Sequence, residues 1–379
     1  MKIAEVYDAP YNERGGISVY VVSFIKNAPE HDFTLWTRDK SDMTVAIGRK
    51  LISINALIPN KKKFKFVPEI IRSIFYVWLK LKKISNLQNV IVYNSSTYFW
   101  TYIFRKKTIP TILIIHGTNM PITSMSVGRK KAFFVACSDR LAIKKADRVI
   151  LVSQEGLQYY QDKHPKYKSK MVFYPTFSED SLFYPKDRNI SKKDLFLAGK
   201  NILTYVGRLN VQKKVSLVIR IFSQILEIKT NSHLCIVGDG PDRETLIDLT
   251  KKLGLGKYVT FYGNVCHEEI PTFFNASDLS FTLSYWEGTA QTILESLACG
   301  TPVIVSDVAD NRQIITNGKD GFVLESDDEE KGAAYAIKIM DNYDQFSKNA
   351  LDKGKKYYAS AIVPKIIQEI KSVIEKQHL

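Results

Sequence analysis

From Asn201 onward the chain alternates short runs of aliphatic and β-branched residues with longer stretches whose apolar positions recur at helical spacing. Strands this apolar are buried on both faces, and strands joined through helices run parallel. The alternation therefore restricts the fold to a parallel sheet covered by crossover helices. It predicts strands over 201–206, 233–237, 258–262, 278–283 and 302–306. Helices are expected over 214–228, 241–253, 268–275 and 290–299, with Pro241 suited to a first helical turn. The short connections fit a doubly wound sheet.

The first half shows the same alternation less cleanly. Strands are expected over 2–7, 89–93, 111–115 and 148–152, with a helix over 19–27 behind a Gly15-Gly16 loop. Residues 174–199 contain Pro175 and Pro185 among polar neighbours and read as an interdomain connection. A chain of 379 residues accommodates two such domains, expected at 1–190 and 191–362. The amphipathic stretch 363–379 follows a break near 358–362 and is a candidate to cross back onto the first domain.

A hydrophobic fraction of 45% with 12% aromatic residues excludes global disorder. Glu5 and Asp8 interrupt the N-terminus too early for a secretory signal, and no apolar run is long enough to span a bilayer. Cys137, Cys235, Cys266 and Cys299 are scattered, without a metal-binding or disulfide spacing. The expectation is a reduced, soluble, cytoplasmic enzyme.

Charge divides the chain. Residues 1–188 hold 31 Lys/Arg against 15 Asp/Glu, whereas the remainder holds 23 against 24. Within 43–138 there are 16 basic residues and one acid, Glu69. Such a window suits an anionic lipid, a nucleic acid or a phosphorylated substrate, or is a solvated basic surface.

Ligands of doubly wound sheets bind beyond the carboxyl ends of the strands, so the strand-to-helix junctions carry the candidate chemistry. At Gly207-Arg208-Leu209-Asn210-Val211-Gln212-Lys213-Lys214, a guanidinium and an ammonium five positions apart sit at the mouth of a helix. Cations there oppose the helix dipole, and that cost favours a bound diphosphate over two solvated side chains. Glu287-Gly288-Thr289-Ala290 follows a strand, and Glu295 lies about two helical turns further on. A carboxylate so placed is able to accept ribose hydroxyls; two glutamates on a helix are otherwise a solvated face.

These residues do not stand alone. Phe261-Tyr262-Gly263-Asn264-Val265, Asn275-Ala276-Ser277-Asp278, the Glu287–Glu295 pair, Ala298-Cys299-Gly300-Thr301-Pro302 and Gly318–Gly321 follow one another over residues 261–323. With Arg208, Lys213 and the Gly238–Pro241 turn they resemble the donor-binding domain of family 4 glycosyltransferases. In the first half the likeness is confined to Gly15-Gly16, His116-Gly117 and the segment Ala146–Ser153. The resemblance implies an α/β GT-B fold: two Rossmann-like doubly wound parallel-sheet domains facing across a cleft, the first for the acceptor and the second for a nucleotide-sugar.

By the same resemblance, Arg208 and Lys213 neutralise the donor diphosphate, and Glu295 holds the ribose. Glu287, with the backbone of Gly288, Thr289 and Ala290, orients the sugar. Gly207, Gly15 and Gly16 bring backbone close to the donor, and His116 contacts the sugar. The chain departs from the family pattern at Lys214 and Ala290, where glycine is usual, and at Leu283, where proline is. It also lacks the usual glycine-rich pattern at 308–313 and the usual Asn-Gly at 174–176.

There is no Asp-x-Asp pair at a strand end to clamp a metal, so no metal and no other cofactor is expected, the cation pair serving the diphosphate. Between Asn60 and Lys83, Lys61, Lys62, Lys63, Phe64, Trp78, Lys82 and Lys83 frame an amphipathic pattern, and Arg105, Lys106 and Lys107 close a second aromatic cluster. The pair suggests docking on an anionic membrane surface, though each alone also suits a core helix.

The expected function is a metal-independent, retaining hexosyltransferase acting on a UDP-sugar in preference to a GDP-sugar. Its acceptor would be an anionic or lipid-linked saccharide in surface polysaccharide assembly, at the cytoplasmic membrane face. The rival readings are a non-catalytic partner subunit or glycan-binding protein of the same fold and, without a recognition motif to support it, a nucleic-acid-binding protein.

Overall fold

The structure, a computed structural model, describes residues 1–7, 16–37, 42–56, 89–94, 109–116, 129–287 and 291–376. It divides into two units: Met1–Thr176 with Ile362–Leu379, and Phe177–Ala361.

In the first unit the strands are β1 (Lys2–Val6), β2 (Asp32–Thr37), β3 (Met43–Ile47), β4 (Lys50–Ala56), β5 (Val90–Tyr93), β6 (Thr111–Ile115), β7 (Arg148–Leu151) and β8 (Met171–Phe173). Their spatial order is β3-β4-β2-β1-β5-β6-β7-β8. Only β3 and β4 pair antiparallel, through a two-residue turn whose Gly48 has φ +60°. Successive strands run outward from β1 in both directions, so the topological switch lies between β1 and β5. Ala4, Val6, Ile91, Tyr93, Leu113, Ile115, Val149 and Leu151 share one core with Ala142 and Ile143 of the helix Arg129–Lys145.

The helix Gly16–Lys26 starts three residues before the sequence expectation, and Gly16 is its exposed first residue rather than part of a loop. Strands β2 to β4 were not anticipated. The last helix, Ala359–Glu375, starts within the expected break and carries Pro364 inside it. Its Glu369 pairs with Arg148 and accepts from the Tyr174 hydroxyl at 3.2 Å.

The second unit has β9 (Asn201–Val206), β10 (Ser232–Val237), β11 (Val259–Gly263), β12 (Leu279–Thr282), β13 (Val303–Ser306) and β14 (Gly321–Leu324). They are parallel throughout, in the order β11-β10-β9-β12-β13-β14. Alternate residues of a strand serve opposite layers. Leu203 and Tyr205 pack under the helix Val215–Ile228, whereas Ile202 and Val206 pack with Phe273 and Phe274 on the other face.

The division falls after Thr176, not at 190, because the intervening residues fold onto the second unit. Phe183 is fully buried beside Phe274, Lys186 N–H donates to Asn275 Oδ1 at 2.7 Å, and Arg188 pairs with Asp278 while stacking on Tyr343. Among the described residues, no helix is long and apolar enough to cross a membrane.

Candidate functional site

The second sheet reverses its order between β9 and β12, and the crevice beyond their carboxyl ends is where this topology takes ligands. The loop after β9 is shaped by glycine. Gly207 has φ +155°, its N–H donates to Val237 O at 3.0 Å, and a Cβ there would lie 2.8 Å from the Tyr205 hydroxyl oxygen. The loop after β10 lies against it so closely that a Cβ on Gly238 or Gly240 would collide with the carbonyl of Gly207 or Leu209. Leu209 N–H donates to Asp239 O at 3.0 Å, and Asp242 N–H returns a bond to Leu209 O at 3.1 Å. Between these anchors sits Arg208, its carbonyl accepting from the Tyr205 hydroxyl at 3.0 Å and its side chain exposed.

A single 3₁₀ turn, Val211–Lys213, then delivers Lys213 to Glu287, with which it forms an ion pair. The two segments are laced together at their backbones. Tyr285 N–H donates to Gln212 O at 2.9 Å, and Gln212 Nε2 donates to Trp286 O at 2.8 Å. Ser284 donates its hydroxyl to Glu287 Oε1 at 2.8 Å, while its own N–H donates to Ser306 Oγ at 2.9 Å. Lys214 follows in the left-handed region at φ 44°, which costs a side chain about 1 kcal/mol. Its ammonium offsets that by bonding Asp327 at 2.6 Å and lying 4.2 Å from the Tyr285 ring centroid. Chemically, this is a carboxylate already matched to one cation. An entering anion that draws Lys213 away leaves Glu287 free to accept from hydroxyls.

Further along, the helix Gln291–Ala298 buries Glu295. Its Oε1 meets His267 Nε2 at 3.0 Å, and Phe183 sets its ring edge against the imidazole at 5.1 Å. Burial opposes the charge on His267, but the bond and charge of Glu295, with Glu179 and Glu268, outweigh it and hold the imidazole above its ordinary value. Glu295 is thus held in place by His267, with its second oxygen left as an acceptor for hydroxyls.

In the first unit His116 ends β6, and its Nε2 lies 3.1 Å from Asn94 Oδ1. Asn94 follows β5 and donates through Nδ2 to Glu5 Oε2 at 2.6 Å. Tyr20, from the helix Gly16–Lys26, packs edge-on against the imidazole at 4.8 Å. Burial lowers His116 to about 4, so it is neutral at physiological pH. Burial also raises Glu5 to about 8, against the opposing pull of the Asn94 hydrogen bond.

Residues 186–356, nearly the whole second unit, match the family described as glycosyl transferases group 1. The chain carries a group 1 glycosyltransferase domain. Among curated proteins, the N-acetyl-alpha-D-glucosaminyl L-malate synthase of Bacillus anthracis is 25% identical over 233 residues, covering 61% of this chain and 58% of that one. The chain thus spans less than two thirds of the first curated relatives it matches. Among solved structures, the sucrose-phosphate synthase of Thermosynechococcus elongatus superposes with a TM-score of 0.81 at 18% identity, covering 99% of this chain and all of that one. Anabaena HepE in complex with UDP gives 0.78 at 17% identity, covering 98% of this chain and 100% of its own; it has also been solved with UDP-glucose. These likenesses establish two parallel-sheet α/β units of the GT-B type.

In this glycosyltransferase domain Gly207, Arg208, Lys213 and Glu287 come together at the switch point, and Glu295 lies on the following helix. His116 stands on the first sheet and Gly16 at its first helix. Gly15, Gly288, Thr289 and Ala290 lie outside the described residues, as do Lys61, Lys62, Lys63, Phe64, Trp78, Lys82, Lys83, Arg105, Lys106 and Lys107. Sequence reasoning missed Gln212, Ser284, His267, Asn94 and Glu5. Of these only Glu5 left a signal, an acid inside an otherwise apolar strand. Among the described residues, no three His, Cys, Asp or Glu cluster as a metal site.

Proposed function

We propose that this chain is a retaining, metal-independent glycosyltransferase that moves a hexose from a UDP-sugar to a hydroxyl of an anionic, lipid-linked saccharide. The observation that carries the reading is the Arg208–Lys213–Glu287 arrangement at the switch point of the second sheet. Diphosphate departure concentrates negative charge on the leaving group, and a preorganised guanidinium and ammonium stabilise it where it develops. Lys213, taken up by the diphosphate, releases Glu287 to accept from the sugar hydroxyls. Glu295, oriented by His267, accepts from the ribose, and His116, neutral, accepts from or donates to the sugar. The UDP complexes of the structural neighbour support uridine over guanosine.

The test is UDP release from a panel of UDP- and GDP-hexoses by the purified chain, with and without chelator. Turnover of a UDP-sugar that persists in EDTA supports the reading. Loss in EDTA with recovery in manganese removes the metal-free mechanism. No turnover of any donor leaves the non-catalytic partner as the better account.

The acceptor and location follow from the first half's charge. The 16 basic residues in 43–138, interleaved with Phe64, Trp78 and the aromatic run before Arg105, suit the cytoplasmic face of an anionic bilayer carrying a lipid-linked acceptor for surface polysaccharide assembly.

A further inference from the structure

Glu5 is a buried acid where the fold needs none. It lies in β1 between the fully buried Ala4 and the nearly buried Val6, and a hydrocarbon there would cost the unit nothing in desolvation. What Glu5 does have is a chain of hydrogen bonds across three neighbouring strands, β1, β5 and β6, ending on His116. Asn94 is fixed in that chain by its backbone as well, its N–H donating to Val6 O at 2.8 Å.

The order of donors follows from chemistry. Both N–H donors of the Asn94 side chain are on Nδ2, which faces Glu5 and donates to its Oε2 at 2.6 Å. The other end of the amide therefore presents a carbonyl oxygen to His116 Nε2 at 3.1 Å. An acceptor facing Nε2 requires a proton on it. We propose that Glu5 and Asn94 are positioning residues that hold His116 in the tautomer with its proton on Nε2, leaving Nδ1 as the nitrogen that accepts from a hydroxyl.

Burial favours the protonated form of Glu5, and with Oε2 accepting from the amide its proton sits on Oε1. A glutamine reproduces that pattern, with a carbonyl toward Asn94 and an NH₂ in place of the O–H. Leucine at 5 or 94 removes it. The fixed tautomer matters because His116 is neutral, so its two nitrogens differ in kind and only one is basic. The consequence for sugar transfer rests on the function proposed above; the tautomer itself does not.

The experiment is ¹⁵N NMR of the full chain labelled at its 6 histidines, the His116 signals being assigned by their loss in His116→Gln. Wild type should show a pyrrole-type Nε2 and a pyridine-type Nδ1. Asn94→Leu and Glu5→Leu should move both signals toward averaged values as the two tautomers exchange, while Glu5→Gln keeps the wild-type pattern. A wild-type signal with the proton on Nδ1 overturns the proposal, whatever the variants do, and so does a pattern unchanged in Asn94→Leu. Turnover is read separately. The leucine variants should lose kcat by about tenfold or more while the donor KM stays within about twofold, and Glu5→Gln should recover part of the loss. Absence of turnover in wild type counts against the function reading and leaves the tautomer result to decide the relay.

Discussion

Replacing Glu5 by glutamine should abolish a pH dependence of stability that the buried acid imposes on the first unit. Its carboxyl is raised by burial from 4.5 to about 8 in the folded state. Below pH 4.5 both states are protonated and the group is neutral in its effect. Between 4.5 and 8 the unfolded chain releases the proton while the folded chain keeps it, so stability falls as pH rises, by about 1.4 kcal/mol per unit. Above 8 both states are ionised and the loss, about 5 kcal/mol in all, is complete. His116 works the other way. Its value of about 4 against the ordinary 6.5 makes stability rise between those limits, so the two slopes largely cancel in the acid range and that of Glu5 stands alone above pH 6.5. Of the groups facing Glu5, Tyr20 is raised by burial and by Glu5 itself and stays neutral throughout. Comparing Glu5→Gln with wild type removes every other titration. Urea unfolding followed by tryptophan fluorescence is the assay, because Trp36 is buried in the first unit and three of the 4 tryptophans precede residue 177 in the sequence. With a slope near 2 kcal/mol per molar, the variant's midpoint should move ahead of wild type by about 2.5 M between pH 4.5 and 9. A difference between the two proteins that does not change with pH would refute the argument, and one that changed with the opposite sign would show Glu5 to be ionised in the fold.

Arg208→Ala and Lys213→Ala should each lower turnover by roughly 10²–10³, measured as UDP release, since each removes charge stabilisation of the leaving group. Glu295→Ala should instead raise the donor's KM more than it lowers kcat, because ribose contacts form equally in ground and transition states. Gly240→Ala sets a methyl against the Leu209 carbonyl, and a loss of about 1–3 kcal/mol in the second unit with weakened UDP binding should be seen by thermal shift. Sedimentation with phosphatidylglycerol vesicles should carry the chain down at low salt and fail when Phe64 and Trp78 become serine; a chain left in the supernatant at low salt refutes the membrane reading.

What the sequence displayed and what it hid divide along physical lines. Strands β9, β10, β12 and β13 are buried on both faces, so each reads as a short run of mainly apolar residues, whereas the four residues of β14 were too few to stand out in the sequence. Strands β3 and β4 lie at one end of the first sheet, with Thr44, Ala46, Leu51 and Ser53 exposed, and a period-2 pattern diluted by polar residues left no such run. Residues 174–199 looked like a linker because of Pro175, Pro185 and their polar neighbours, yet one large side chain, Phe183, ties the segment to the second core. Arg208 and Lys213 were legible because they share one junction. That Lys213 pairs with Glu287, 74 residues away, is tertiary information, as is the meeting of His267 with Glu295. Lys214, read as a departure from glycine, proves to occupy a left-handed conformation, which explains why glycine is usual there.

The first unit is discontinuous in sequence, and the ion pair of Arg148 with Glu369 joins residues 221 positions apart. During synthesis, therefore, the segment that leaves the ribosome first waits longest for its last partner. The contiguous second unit, complete by Ala361, is able to finish folding before the first has received residues 362–375, reversing the usual N-to-C order of maturation. Until then the nascent first unit presents to the cell an apolar face meant for Ile366, Ile367 and Ile370, all buried in the finished protein. A ribosome stalled before residue 362 would thus release a chain with a finished second unit and a first unit marked for chaperones.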